Sequence, residues 1–529
     1  MTKLSQSNTD GRNHLGFSAK VTEKIIDSTG LKALIGSFPR EQSVVMCHGT
    51  FDLVHPGHLR HLAYAKSKGA LLAVSITSDE YVVKADMRPY VPEELRSLNL
   101  AALELVDFVL IDNNSDPLSL IGQLQPDVFV KGYEYGGDLP AKTASEQIAV
   151  ESYGGRMLFS PGDFVLSSSA LIENDPPKIG LEKLLTLMQV EEITFQDLYA
   201  SLEGLDRLSI TVVGDTIVDS ITTASVIGGF RKTPTPSVRV DGHKRFVGGA
   251  GIVAKHIAAS GAKVEFISIL GDDDLGRFVA QDLAATGVTA RIQFVPERPT
   301  THKNAIVADS YRMIRIDTVD NKTIDADVLE SMVADLREAQ SDAVVFSDFR
   351  HGIFNRATIP SFMSAVPEGS FTVADSQVAS RWGNVLDFAG CDLITPNEEE
   401  VRFALADQDS VIRPLGTALY EQSRCKILIL KVGARGMLTF RGTIGGRGKR
   451  SFFTVDSLAR DAIADPVGAG DALLAYATLT QVATGNEAIS SIVGAIAAGI
   501  ECEFEGNVPV TPDLISQRLC ELERASDFT

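Results

Sequence analysis

The chain has 529 residues, 44% hydrophobic and 22% charged, with 44 Gly and 21 Pro. Such values fit a globular protein of two or three domains and exclude wholesale disorder, collagen and coiled coil. The formal charge of −20 argues against nucleic acid and membrane partners, because an anionic surface repels phosphate backbones and anionic lipid.

Five scattered Cys suit a reducing compartment. No apolar run approaches the roughly 20 residues of a membrane span, and the polar start lacks a signal core. A cytoplasmic protein is expected. Residues 1–42 read as an extension carrying a helix. From Ser43, apolar strands alternate with helices: SVVMCHGTFD, the helical HLRHLAYAKSKG, ALLAVSITSD, VDFVLIDN, the helical PLSLIGQL and DVFVKG. That alternation predicts a parallel sheet covered on both faces, over residues 43–173. A breaker cluster at Asn174 opens a mainly helical connector to residue 206. A second alternation fills 207–529, with strands KVEFISILGD, DAVVFSD, SFTVADS, CDLITPN and KILILKVG. Between Gly228 and Phe246 a non-helical stretch is expected to form a small β lid.

In the first half, Gly49-Thr-Phe-Asp-Leu-Val-His-Pro-Gly-His58 lies where the first strand meets its helix. Ligands of open parallel sheets bind beyond the carboxyl ends of the strands. His55 and His58 sit at a helix start, where the dipole and free N–H groups favour phosphate. Two imidazoles there can stabilise charge at a reacting phosphorus without any covalent nucleophile. Four of the nine His fall within residues 48–61, yet no Cys pair or acidic ligand recurs at structural-zinc spacing.

The ten-residue pattern resembles the hallmark of the cytidylyltransferase-like superfamily, over roughly residues 40–173. The resemblance implies a Rossmann-like nucleotidyltransferase domain. It places Gly49, Thr50, Phe51, Asp52, Lys84, Arg88, Lys131, Ser167, Ser168 and Ser169 on a nucleoside triphosphate, with His55 and His58 catalytic.

In the second half, Asp465-Pro-Val-Gly-Ala-Gly-Asp471 precedes an Ala-rich helix. Its glycine turn can aim backbone N–H groups at a transferring phosphate, and Asp471 can take the proton of a substrate hydroxyl. Gly214 to Asp219, Val247-Gly-Gly-Ala250 and Thr395-Pro-Asn-Glu-Glu-Glu400 accompany it. Together these resemble the ribokinase-like (PfkB) carbohydrate kinases over roughly residues 207–522. That likeness implies an α/β sandwich with a β lid, ATP and Mg²⁺. By it Asp471 is the base, and Gly468, Ala469 and Gly470 form the anion hole. Asp219, Gly248 and Gly249 touch the sugar. Asn397, Lys431, Gly433 and Gly436 serve the nucleotide, and Asn397 and Glu400 organise magnesium through water.

The pairing resembles bacterial enzymes that phosphorylate heptose 7-phosphate at C1 and then adenylylate the heptose 1-phosphate, with the halves in reversed order. Two motifs depart from that pattern. Gly-Gly-Ala-x-Asn reads Gly-Gly-Ala-Gly-Ile252, and Asp-Pro-Lys-Gly reads Asp375-Ser-Gln-Val378. Loss of an amide and an ammonium alters the sugar-binding half. A bifunctional α/β enzyme is expected, using ATP in the kinase and ATP or CTP in nucleotidyl transfer. Its partners are a sugar phosphate and nucleoside triphosphates, and a homo-oligomer is expected, with a dimer favoured. The alternatives are another sugar or polyol phosphate with CTP, or one half that is a silent binding module.

Overall fold

The structure, a computed structural model, describes residues 18–82, 88–132, 140–161, 179–229, 236–308, 311–377, 384–442, 450–460 and 465–526. Two compact units divide the chain within the helix Gly180–Val190, the first ending at Thr186 and the second beginning at Leu187. Arg450 groups with the first.

The first unit is built on β1 (Val44–Gly49), β2 (Leu71–Thr77), β3 (Phe108–Asp112), β4 (Val128–Lys131) and β5 (Arg156–Phe159). They form one parallel sheet in the order β3-β2-β1-β4-β5. Successive strand side chains point to opposite faces, and the apolar run of β1 divides accordingly. Val45 and Cys47 join Leu62, Val74 and Leu100 in one core. Val44 and Met46 join Leu31, Ile121 and Phe129 in another. A sheet buried on both faces follows. The extension also contributes to the fold: the N–H of Ile26 donates to Val109 O and the N–H of Val109 to Lys24 O, at 2.9 and 2.8 Å. These bonds cover the edge strand β3.

The second unit carries two sheets. The larger contains β6 (Ser209–Gly214), β9 (Lys263–Gly271), β10 (Thr289–Val295), β13 (Ala343–Asp348), β14 (Phe371–Ser376), β15 (Leu393–Ile394), β16 (Ile427–Lys431), β17 (Met437–Arg441) and β18 (Phe452–Val455). Its order is β10-β9-β6-β13-β14-β15-β16-β17-β18, parallel up to β16, with the last two strands antiparallel.

The smaller sheet is the lid, and it is larger than the stretch from Gly228 to Phe246. It contains β7 (Thr216–Gly229), β8 (Pro236–Gly249), β11 (His302–Ala308) and β12 (Tyr311–Thr318), in the order β12-β11-β7-β8. β7 is dense in Thr, Ile and Val, residues that suit a pleated, half-buried surface. Asp219 therefore lies within a lid strand. Lys303 is its register partner on β11. Among the described residues, no helix is long and apolar enough to cross a membrane.

The segment after the helix Gly180–Val190 is fastened to the second unit by a buried bidentate pair. Arg441 Nη1 and Nη2 donate to Glu191 at 2.9 and 2.5 Å. Arg441 Nη1 also lies 3.7 Å from Glu487, so removing Glu191 leaves a buried charge only partly compensated. Glu191→Ala should therefore destabilise the second unit by about 3 kcal/mol. Urea unfolding measures this, and a loss below about 1 kcal/mol would show that Arg441 finds a substitute partner.

Candidate active sites

In the first unit the chain reverses direction across the sheet between β1 and β4, the position where open α/β sheets bind ligands. Here β1 runs out through Gly49 and Phe51 into the helix Pro56–Lys66. Phe51 has φ +49°, a left-handed conformation unusual for a bulky residue. Its ring lies 5.1 Å from that of His58.

The two histidines cap the helix reciprocally. His55 Nδ1 accepts the N–H of Gly57 at 3.1 Å, and His58 Nδ1 accepts the N–H of His55 at 3.4 Å. Their rings stack at 3.9 Å between centroids. A Cβ on Gly57 would fall 2.9 Å from the His55 ring, so glycine is needed between them. Because each Nδ1 accepts, the proton of each neutral ring resides on Nε2, and a bond to the Leu53 backbone also acts on the His58 ring. Burial, followed by His55 and His61, pulls His58 down to about 4. Near neutral pH it is an uncharged donor.

Other expected ligands have internal partners. Asp52 is buried and accepts from Arg88 Nη1 at 2.6 Å and from the N–H groups of Tyr90 and Val91 at 3.0 and 2.8 Å. Its carboxylate thus fixes the Arg88 segment. Lys131 ends β4 and pairs with the buried Glu146 at 2.5 Å, so here its ammonium is balanced by protein. Thr50 gives its carbonyl to Arg96. Lys84, Ser167, Ser168 and Ser169 lie outside the described residues.

Arg96 was not anticipated. Fully buried, it donates to Val91 O, Thr50 O, Thr77 O and Asp79 Oδ1 at 2.5–3.0 Å, holding together the loops that follow β1 and β2. An arginine among the apolar positions of the helix Glu93–Ala101 was the available signal.

In the second unit, a cleft of about 630 Å³ opens beyond the carboxyl ends of the larger sheet and beneath lid strands. It brings together Asp219, Gly249, Asn397, Lys431, Gly433, Gly436, Gly468, Ala469, Gly470 and Asp471. Gly468 is the N-cap of the helix Ala469–Thr484, with φ +90° and no side-chain cap. Backbone donors of the first turn thus face the cleft with no competing side chain. Gly436, at φ +88°, also requires glycine, because a Cβ there would meet Val455 O at 2.1 Å.

Burial pushes Asp471 up to about 8; Asp375 adds to the rise and Lys431 opposes it. Lys431 Nζ donates to Asp375 Oδ1 at 2.7 Å. Burial acts to lower Lys431, but the charges of Asp375 and Glu400 outweigh it and the ammonium is raised. Asp219 is raised by burial and accepts from Asn507 Nδ2 at 3.0 Å. Gly248 makes room for that pair: a Cβ there would stand 2.2 Å from Asp219 Oδ2 and 2.7 Å from Asn507 Nδ2.

Asn397 and Glu400 form a capping box on the helix Glu398–Leu405, with Asn397 N and Nδ2 donating to Glu400 at 2.7 and 2.6 Å. Glu400 is raised to about 7 by burial, against the opposing charge of Lys431. Asn397 lines the cleft and Glu400 stands behind it. Ile252 is fully buried outside the cleft lining, whereas Gln377 lines it. Of the two sequence departures, only Gln377 is placed to touch a ligand there. Lys303, Arg312, Asp465 and Asn507 also line the cleft and were not anticipated as ligands.

Comparison with known families matches residues 207–500 to the pfkB family carbohydrate kinases and residues 46–173 to the cytidylyltransferase-like family. The chain belongs to the pfkB carbohydrate kinase family and carries a cytidylyltransferase-like domain ahead of the kinase domain. Among its relatives, "Bifunctional protein HldE" of Rhodopseudomonas palustris (strain TIE-1) is 27% identical over 335 residues, 60% of this chain and 65% of that protein. The chain thus spans just under two thirds of the length of that relative. "D-beta-D-heptose 1-phosphate adenylyltransferase" of Bordetella bronchiseptica is 37% identical over 158 residues, 29% of this chain and 95% of that protein. Phosphofructokinase-2 from Escherichia coli, crystallised with substrates and products, superposes with a TM-score of 0.50 at 16% identity, over 60% of this chain and all of that one. It shares the fold.

Two expectations follow from this geometry. Gly248→Ala must displace Asp219, so kinase kcat/KM should fall by about 10²-fold with little change in Tm; near-normal kinetics would show that Asp219 can move at no cost. Asp471 is protonated in the folded protein well above its unfolded pKa, so its contribution to stability is lost as pH rises from about 4 to about 8. Asp471→Asn, which cannot ionise, should gain Tm over wild type across that window and hold the gain above it. A gap independent of pH would contradict the raised Asp471.

Proposed function

We propose that the chain catalyses two successive steps of nucleotide-sugar synthesis. The kinase domain phosphorylates heptose 7-phosphate on its C1 hydroxyl, and the other domain joins the resulting sugar 1-phosphate to a nucleotide. The observation that carries the kinase reading is Asp471, a buried carboxyl at the first turn of an uncapped helix, facing the cleft that holds Asp219. Asp471 accepts the proton of the C1 hydroxyl as its oxygen bonds to the γ-phosphorus of ATP, and ADP leaves. The N–H groups at Gly468, Ala469 and Gly470 hold the transferring phosphoryl group. Asp219 and Asn507 hold the sugar. Lys303, Arg312 and Arg315 also line the cleft, and three cations suit a substrate that already bears a phosphate.

Gly433 and Gly436 leave a side-chain-free wall beside Lys431 for the nucleotide. Mg²⁺ keeps its waters and leans on substrate phosphates. Asn397 and Glu400 would hold those waters. Bound there, Mg²⁺ neutralises phosphate charge.

In the transferase domain, His55 and His58 donate from Nε2 to the triphosphate while a sugar phosphate oxygen attacks the α-phosphorus and pyrophosphate leaves. ATP is the nucleotide in the first reading and CTP in the second. Gln377 in the cleft favours testing sugars beyond heptose 7-phosphate. The apolar residues Val226, Ile227, Val240, Ile314 and Ile316 are exposed on the lid strands, which supports a homodimer through the lid. Five free thiols support the cytoplasm as its compartment.

The test separates the two reactions. Asp471→Asn should cut sugar phosphorylation by about 10²–10⁴-fold and spare pyrophosphate release from nucleotide plus sugar 1-phosphate. His55→Ala or His58→Ala should do the reverse. A screen of sugar phosphates with ATP, CTP, GTP and UTP, read by mass spectrometry, identifies the substrates. Equal loss of both reactions in a folded variant would overturn the two-site reading.

A further inference from the structure

Glu501 is fully buried at the end of the helix Glu487–Glu501. Its Oε1 accepts the N–H of Val508 at 3.0 Å, while Oε2 has no hydrogen-bond partner among the described residues. It lies under the turn that begins the catalytic helix: a Cβ on Gly468 would fall 2.8 Å from Glu501 Oε1 and 3.1 Å from Asn507 Oδ1. Asn507 Oδ1 is likewise buried and without a partner among the described residues, and its Nδ2 holds Asp219. The bonded oxygen of Glu501 and the unpartnered oxygen of Asn507 therefore crowd one glycine, between the sugar-holding carboxylate and the turn that receives phosphate.

An unpaired buried acceptor is costly, and an unpaired buried carboxylate more so. A proton on Glu501 Oε2 removes both deficits, because the oxygen loses its charge and becomes a donor for an acceptor such as Asn507 Oδ1. An ionised Glu501 would also set a negative charge beneath the N–H groups that must bind an anion. We propose that Glu501 is a positioning residue that works in its protonated form, securing the Gly468 turn and Asn507 and keeping a second negative charge away from Asp471. The proposal rests on the kinase reading of this cleft.

The electrostatic surroundings agree. Burial pushes Glu501 up to about 8, and Asp471 and Asp465 add to the rise, opposed by the N–H of Val508. Asp465 is paired with Arg312 at 3.2 Å, and Asp471 feels Lys431. The neighbouring Cys502 is itself raised by burial, and Glu503 is engaged by Arg518 and Arg460. Among the described residues no cation pairs with Glu501, whereas Lys431 acts on Asp471, so a proton on Glu501 spares Asp471 a second negative neighbour.

The experiment compares the full-length wild type, Glu501→Gln and Glu501→Ala. Glu501→Ala should lower kinase kcat by about tenfold near pH 7, and the neutral amide of Glu501→Gln should restore most of it. At about pH 9.5, where wild-type Glu501 ionises, the ratio of Gln variant to wild type should exceed its neutral value by about fivefold. Thermal unfolding without ligands gives a second readout. A raised carboxyl loses its stabilising contribution between its unfolded and folded pKa, so the Tm advantage of Glu501→Gln should widen from about pH 5 to about pH 8 and then level off.

A constant Tm gap over that range would overturn the proposal, because Glu501 would be ionised throughout. So would a Gln variant no better than Ala, or a potassium requirement abolished by Glu501→Gln, which would mark an ionised cation ligand. If the wild type phosphorylates no sugar, the kinase reading falls, while the unfolding series still decides the protonation of Glu501.

Discussion

The kinase cleft is organised by buried carboxyls gathered around one ammonium. Lys431 lies against Asp375 at 2.7 Å and also feels Glu400 and Asp471. Burial raises Glu400 to about 7 and Asp471 to about 8, and the positive charge of Lys431 only partly opposes it. A base whose pKa lies near neutrality matches proton abstraction from a hydroxyl. Even the glycines follow from this constraint, since Gly248 and Gly468 are the points where carboxyl oxygens come closest to backbone.

The two halves solve one problem differently. Each uses the start of a helix at the carboxyl ends of a parallel sheet, where N–H groups and the dipole favour phosphate. In the kinase domain the first turn is left without a side-chain cap, and the backbone itself is offered. In the transferase domain two imidazoles occupy the cap and take the N–H groups of His55 and Gly57. One helix start therefore presents bare backbone and the other presents imidazole rings.

Much of this was legible in the sequence because the informative residues are local. The apolar run of β1, the His-Pro-Gly-His helix start and the Gly-Ala-Gly-Asp turn each carry their structure within ten residues. The lid was only partly legible: β11 and β12 enter it from about eighty residues downstream, and nothing local in Lys303 declares Asp219 as its register partner. Arg96 and Asn507 were missed for the same reason, since partners such as Thr50 for Arg96 and Asp219 for Asn507 lie far along the chain. The motif does not show that the Asp52 carboxylate meets Arg88 and two backbone N–H groups. Ile252 is the converse case, a departure from pattern that packing places in the core.

Asp52 and Asp219 show how differently two carboxylates of recognisable motifs are spent. Asp52 has several protein donors and little exposure, so it sets the shape of the loop that carries Arg88. Asp219 has Asn507 as its recorded hydrogen-bond donor and opens on the cleft. A buried carboxylate keeps its charge only where enough donors meet it. Asp52 has its donors supplied by protein. Asp219 retains unused acceptor capacity, which the hydroxyl groups of a sugar can satisfy and water in the open cleft satisfies less specifically. The distinction between a structural and a ligand-binding carboxylate therefore rests on donor supply, a property that a motif does not encode and a fold does.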